Sequence, residues 1–272
     1  MKKTLHCFLF VCIIPVLFSC AKKTDVLEYI EDASLSHILI KRELIIGVDA
    51  SMPILSFRNK KNELTGFDIE IFKELCRRMN IRPVFYPINW AEKETLLNTG
   101  VIDCIISGFS KTEERNESYT LTAPYLQNAQ VLVTLARNGY TQFSDLQNKK
   151  IYVQAASLSK QTIENNASFG DGVKIVECSD FTVLQEMLGI GKADAIAVDL
   201  ISAYDKLMEK DIYTIMEEPL SVEFYTFAFR KNDKTLARKV ENLLKEMDKD
   251  RTIPILSQKW FGANLSIINI SF

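Results

Sequence analysis

Short apolar runs alternate with helix-period stretches along most of this chain, and that alternation limits the folds open to it more than any other feature. The runs at residues 44–48, 84–86, 102–106, 131–135, 151–153, 173–176 and 195–198 have the length and apolar character of buried strands. Between the first two lies a helical pattern at 67–79, with apolar Phe67, Ile71, Phe72, Leu75 and Met79 recurring on one face. Most of the other runs are also separated by helical patterns. Strand and helix in alternation predict an α/β fold of parallel sheets flanked by helices.

One internal echo sharpens this. Leu97-x-x-Gly100-x-x-Asp103-x-Ile105 recurs as Leu188-x-x-Gly191-x-x-Asp194-x-Ile196. Each copy ends a helix at a glycine, where a left-handed backbone costs little, and then starts an apolar strand. The match is either coincidence or the mark of two similar lobes facing one cleft. Ligands of open α/β sheets bind beyond the carboxyl ends of the strands, which points to Ser107 and Gly108 after one copy and Asp199 after the other.

The chain has 272 residues and a net charge of -2, with Lys and Arg scattered among Asp and Glu. It is long enough for one large or two modest globular domains, and it has no basic face for a nucleic acid. The only histidines are His6, near the amino terminus, and His37, in the lead to the first strand, so a histidine-based triad or metal site is not expected. No paired-cysteine spacing suggests zinc. Cys76, Cys104 and Cys178 read as small buried hydrophobic residues.

The first twenty residues are of another kind. Met1-Lys2-Lys3 is followed by an almost unbroken apolar run to Phe18, too short to span a bilayer comfortably, and the segment ends Leu17-Phe18-Ser19-Cys20. Residues 1–19 read as an export signal. Leu-x-Ser-Cys resembles the bacterial lipobox, which implies that Cys20 is acylated and becomes the mature amino terminus; Phe18 is bulkier than that position usually carries. Plain cleavage and secretion is the alternative. Residues 20–36 are polar and read as a tether between lipid and domain.

Two residues carry the chemistry. Thr112 is a suitable N-cap with Glu113 and Glu114 behind it, which puts Arg115 one turn into a new helix. A guanidinium can grip a carboxylate through two hydrogen bonds, and Ser107, Ser110 and the backbone at Gly108 add hydroxyls and close approach. Arg115 also reads as an ordinary solvated surface residue. Asp199 ends an apolar strand, where a carboxylate is buried only if paired, or else serves as a turn or N-cap residue before the next helix. Taken together, the pair would neutralise both poles of a free amino acid from opposite lobes, so closure would be driven by contacts complete only in the closed state.

Gly66-Phe67-Asp68-Ile69-Glu70-Ile71, with Leu75, Cys76 and Met79 behind it, resembles the signature of the family 3 bacterial extracellular solute-binding proteins, the polar amino acid receptors of ABC transporters. Further matches are Trp90 ten residues before Gly100, Asp103, Thr112-Glu113-Glu114-Arg115, Pro124-Tyr125, Val153-Gln154-Ala155-Ala156-Ser157, Asp194-Ala195 with Asp199, and Lys259-Trp260-Phe261-Gly262. The resemblance covers residues 40 to 264. It implies a type II periplasmic-binding-protein fold, two α/β lobes joined by two hinge crossings, with lobe 1 at 37–131 and 226–272 and lobe 2 at 132–225. It also implies a monomeric receptor without cofactor or catalytic activity, lipid-anchored at the bacterial cell membrane and facing the periplasm or the exterior, that delivers a free amino acid to an ABC transporter permease. Arg115 would bind the α-carboxylate with help from Ser110 and the backbone at Gly108 and Ser157, and Asp199 would take the α-ammonium.

Departures from the family pattern bear on specificity. Ala156-Ser157 stands where many relatives have Gly-Thr, and Met52 where an aromatic often covers the ligand. Trp90 and Phe109 are candidate walls of the side-chain pocket, or else core packing. Asp49 is placed to meet a polar or cationic ligand side chain, or else is a turn residue, and it tilts the ligand toward Arg, Lys, His or Gln. Two other functions remain open. One is an exported cyclohexadienyl dehydratase, which needs a general acid such as Asp49 or a cleft glutamate. The other is a surface interaction or sensor module without a ligand.

Overall fold

The computed structural model describes residues 32–208 and 211–268. The signal at 1–19, the acylation at Cys20 and the tether up to residue 31 lie outside the described residues. The expected tether ends sooner than residue 36, because a helix, α1, already runs from Ser34 to Lys41. Asp32 ties its start to Thr235, accepting from that residue's backbone N–H and hydroxyl.

Strand β1 (Glu43–Val48) leads through three short strands, β2 (Ser51–Met52), β3 (Ser56–Arg58) and β4 (Leu64–Thr65), which form their own small sheet. Helix α2 (Phe67–Met79) has the bounds the periodicity predicts and buries Phe67, Ile71, Phe72, Leu75 and Met79. Phe72 meets Phe227 edge to face, ring centroids 4.8 Å apart, and truncating such a residue to Ala costs roughly 3–5 kcal/mol. Then come β5 (Arg82–Pro87), α3 (Lys93–Asn98), β6 (Cys104–Ser110), α4 (Glu113–Ser118), β7 (Tyr119–Leu121) and the ten-residue β8 (Leu126–Leu135). The next stretch holds β9 (Lys150–Gln154), α5 (Ser159–Glu164), β10 (Lys174–Cys178), α6 (Phe181–Gly189), β11 (Ala195–Asp199), α7 (Leu200–Lys206) and β12 (Tyr213–Ile215). The ten-residue β13 (Ser221–Arg230) and helices α8 (Lys234–Lys249) and α9 (Thr252–Phe261) complete it.

The main sheet runs β10-β9-β11-β8-β13-β6-β1-β5. It contains two parallel trios, β5-β1-β6 and β10-β9-β11. An antiparallel pair joins them. The first half of β8 pairs with β13 and its second half with β11, while β13 leaves β8 to pair with β6. Both long strands therefore cross from one trio to the other. The buried apolar residues divide the same way, into clusters built from residues 38–126 with 225–253, and clusters built from 131–220.

The sequence echo has a structural cause. Gly100 and Gly191 sit at φ 77° and 74°, and their N–H groups donate to Leu97 and Leu188 at 3.1 and 3.0 Å. Asp103 then accepts from the backbone N–H of Ile45 and Asp194 from that of Lys150, both at 2.9 Å. In each copy the aspartate ties its incoming strand to the first strand of its own trio. Cys76 and Cys104 are buried as expected, whereas Cys178 is half-exposed, since β10 is an edge strand.

Candidate functional site

Strand β6 carries a bulge, where its register with β13 shifts, that directs polar groups into a pocket. Ser107 and Gly108 both have positive φ, 80° and 71°. For serine that conformation is held by its own hydrogen bonds. The Ser107 N–H donates to Asp68 at 2.9 Å, and its hydroxyl oxygen accepts from the Asp49 N–H at 3.1 Å and the Ser56 hydroxyl at 2.5 Å. At Gly108 a Cβ would stand 3.3 Å from Leu55, Met52 and Tyr225 at once.

Arg115 comes from the first turn of α4, whose N-cap Thr112 accepts from the Arg115 N–H at 3.1 Å. The guanidinium lines the pocket, donates to the Ser110 carbonyl at 2.8 Å and lies 4.3 Å from the centroid of the Phe109 ring. It makes no ion pair with a described carboxylate. Burial lowers its pKa, and the charge of Glu223 partly restores it.

Asp199, at the end of β11, reaches the same pocket. Its Oδ1 accepts from Asn128 at 2.7 Å, from Gln130 at 2.9 Å and from the Tyr225 hydroxyl. Burial, then the charge of Glu223, push its carboxyl up to about 7, against the Tyr225 hydrogen bond. The pocket holds a further acid with no counterpart among the residues expected from sequence. Glu223, on β13, accepts from the Ser110 hydroxyl at 2.8 Å, and burial raises its pKa. Glu223 is in phase with Tyr225, Phe227 and Phe229 on the buried face of its strand. Asn128 and Gln130 alternate in the same way with Leu126 and Leu132 on β8. Polar residues on the buried parity of a strand are the signal that could have found them.

Asp49, Met52, Trp90, Gly108, Ser110 and Ser157 also line the pocket. Asp49 closes a turn and also faces the pocket. Its Oδ1 accepts from the N–H and hydroxyl of Ser51, closing a turn, while its Oδ2 accepts from Gln154 at 2.7 Å. Burial raises its pKa as well. The Ser157 hydroxyl donates to the Gln154 carbonyl at 2.7 Å. Phe109 is a correction: it is not a wall of the pocket. Its side chain points away from the face that carries Gly108 and Ser110, and packs with Trp90 and Tyr119 in the core, where its ring supports the Arg115 guanidinium.

Several contacts draw residues 49–93 to residues 154–202. Besides Gln154 with Asp49, Lys93 donates to the Ala156 carbonyl at 3.1 Å and to the Trp90 carbonyl at 3.2 Å. Burial, then the Arg115 charge, push the Lys93 ammonium down to about 8. Of the charged residues that line the pocket, three are acids (Asp49, Asp199, Glu223) and one is a base (Arg115). Such a pocket favours a ligand carrying more positive than negative charge. Among the described residues, no group of His, Cys, Asp and Glu could hold a metal ion, and no helix is long and apolar enough to cross a membrane.

A solved structure of Tv2483 bound to L-arginine is 52% identical, with a TM-score of 0.86, and the match covers 89% of this chain and 99% of that one. A substrate-binding protein of an ABC uptake transporter from Streptococcus pneumoniae, with bound histidine, is 27% identical with a TM-score of 0.80, over 86% of this chain and 98% of that one. The L-cystine-binding protein TcyJ of Escherichia coli K12 is 27% identical over 89% of this chain and 91% of its own length. The fold is that of the type II periplasmic amino acid-binding proteins. The model of the bacterial extracellular solute-binding proteins, family 3, matches residues 44–263, and the chain belongs to that family.

Proposed function

We propose that this protein is the amino acid receptor of an ABC importer and closes around a free cationic L-amino acid, with arginine the first candidate. The observation that carries this reading is the convergence of Arg115 with three acids in one buried pocket. Arg115 takes the α-carboxylate, assisted by Ser110, the Gly108 backbone and Ser157. Asp199 takes the α-ammonium, and Asp49 meets the cationic side chain between Met52 and Trp90. The arginine and histidine bound by the structural relatives support a cationic ligand. A thermal-shift screen of the common L-amino acids tests it, since a ligand that binds only the folded form raises its melting point.

In the same reading, lobe 1 comprises 37–131 and 226–272, lobe 2 comprises 132–225, and β8 and β13 are the hinge strands. The protein is exported, acylated at Cys20, monomeric and held at the membrane beside its permease. It is a binding protein and not an enzyme. The dehydratase alternative draws on one structural relative, an ancestral amino acid-binding protein described as a precursor of cyclohexadienyl dehydratase, 31% identical over 84% of this chain. Glu223, a buried acid in the pocket, is the group that reaction would need. Incubation with prephenate distinguishes the two: the receptor forms no phenylpyruvate.

A further inference from the structure

Glu223 has no role in the contacts assigned so far, yet it is tied to the residue assigned to the ligand's ammonium. The Gln130 side chain donates to Asp199 at 2.9 Å and also acts to lower the Glu223 pKa. Its carbonyl end is held by the Ser159 hydroxyl at 2.9 Å, which turns the amide nitrogen toward the two acids. One amide therefore stands beside two buried carboxyls in the same pocket. Their other hydrogen-bond partners, Asn128 and Tyr225 for Asp199 and the Ser110 hydroxyl for Glu223, are all neutral. The charged groups facing the pair are Arg115 from α4, which makes no ion pair with either acid, and Asp49 after β1, which adds negative charge. Two buried carboxylates lining one pocket resist ionising together unless a counter-charge enters between them.

We propose that Glu223 is the second acid of the ammonium seat, and that Asp199 and Glu223 share one proton until a ligand ammonium enters between them and drives it into solvent. The inference rests on the receptor reading above and adds a stoichiometric link between amino acid capture and proton release. Burial raises both carboxyls, and the charge of Glu223 adds to the rise of Asp199, which reaches about 7, so the shared proton is held in the neutral range. The ligand-bound form is the deprotonated one. Affinity therefore rises with pH from about 5.5 to about 8 and then levels off.

The test is calorimetric titration of the protein with L-arginine near pH 6.5 (about the middle of that range), in buffers that differ in ionisation enthalpy. The wild-type protein releases up to about one proton per ligand. Glu223→Gln keeps the hydrogen-bond acceptor and removes the shared proton, so its release disappears and its affinity falls about tenfold. 5-Guanidinopentanoate, which is arginine without its α-ammonium, binds more weakly and releases no proton. Arginine binding by the wild-type protein without proton release overturns the proposal and leaves the receptor reading standing, and this measurement does not depend on how well the variant folds. Undiminished release in Glu223→Gln, or equal release with 5-guanidinopentanoate, also overturns it. No binding of arginine or of any other common L-amino acid sinks both the receptor reading and the proposal.

Discussion

Asp68, at the start of α2, accepts a hydrogen bond from the backbone N–H of Ser107 at 2.9 Å, across 39 residues of sequence. The same oxygen accepts from the Tyr125 hydroxyl at 2.9 Å, and the Gly108 N–H also donates to this carboxyl. The acid of the Gly66-Phe67-Asp68 segment thus holds the strained bulge of β6 after which Ser110 and Arg115 follow. Asp68 does not line the pocket; it positions the backbone that does.

This arrangement has a pH signature. Burial pushes the Asp68 carboxyl up to about 7 from 3.8, against its three hydrogen bonds. A folded state that holds a proton more tightly than the unfolded chain is favoured at low pH. The contribution is fully present below 3.8 and is lost as pH rises through about 7. Asp68→Asn should make the decline of melting temperature with pH over this window shallower by the share of about one proton. An unchanged slope in calorimetric scans would mean that Asp68 titrates as it does in the unfolded chain.

Arg115→Ala should leave the fold intact and cost about 3–5 kcal/mol of ligand affinity, because a desolvated carboxylate loses its only bidentate partner. Titration calorimetry would read this as a loss of more than about a hundredfold. An affinity within a factor of about two of wild type would remove Arg115 from the site.

Gly108→Ala places a Cβ 3.3 Å from Leu55, Met52 and Tyr225 at φ 71°. Strain in the left-handed region and crowding act together, so the variant should lose about 1–3 kcal/mol in chemical denaturation and bind more weakly. Wild-type stability would show that the bulge relaxes without cost.

Asp49→Asn tests the side-chain subsite. The amide can keep the Ser51 contact but cannot balance a guanidinium, so arginine should lose about 1–3 kcal/mol while glutamine loses much less. Equal losses for the two ligands would assign Asp49 to the Ser51 turn and the Gln154 contact alone.

Much of this site was legible because each residue type has a chemical reason to stand at the end of an element. Arg115 follows a capping threonine, Asp199 ends an apolar strand, and the two glycine-aspartate copies repeat one strand-tying device. Phe109 was misread because β6 alternates: Gly108 and Ser110 turn inward, which sends the ring between them to the core. Glu223, Gln130 and Tyr225 were missed for the opposite reason. They lie on β8 and β13, whose partners are distant in sequence, so local patterns alone do not show that these strands meet across the pocket. The hydrogen bonds that orient Asp199 come from those two strands. Strand β13 was not expected at all, because its apolar run is interrupted by Glu223 and Thr226, both buried through pairing and not through hydrophobicity.

The most direct test of the central claim is titration of L-arginine into the wild-type protein and into Asp199→Asn, beside 5-guanidinopentanoate as the ligand without an ammonium. The account predicts that one arginine binds per chain, and that the substitution weakens arginine while largely sparing 5-guanidinopentanoate. Equal loss for both ligands, or no arginine binding by the wild-type protein, would contradict it.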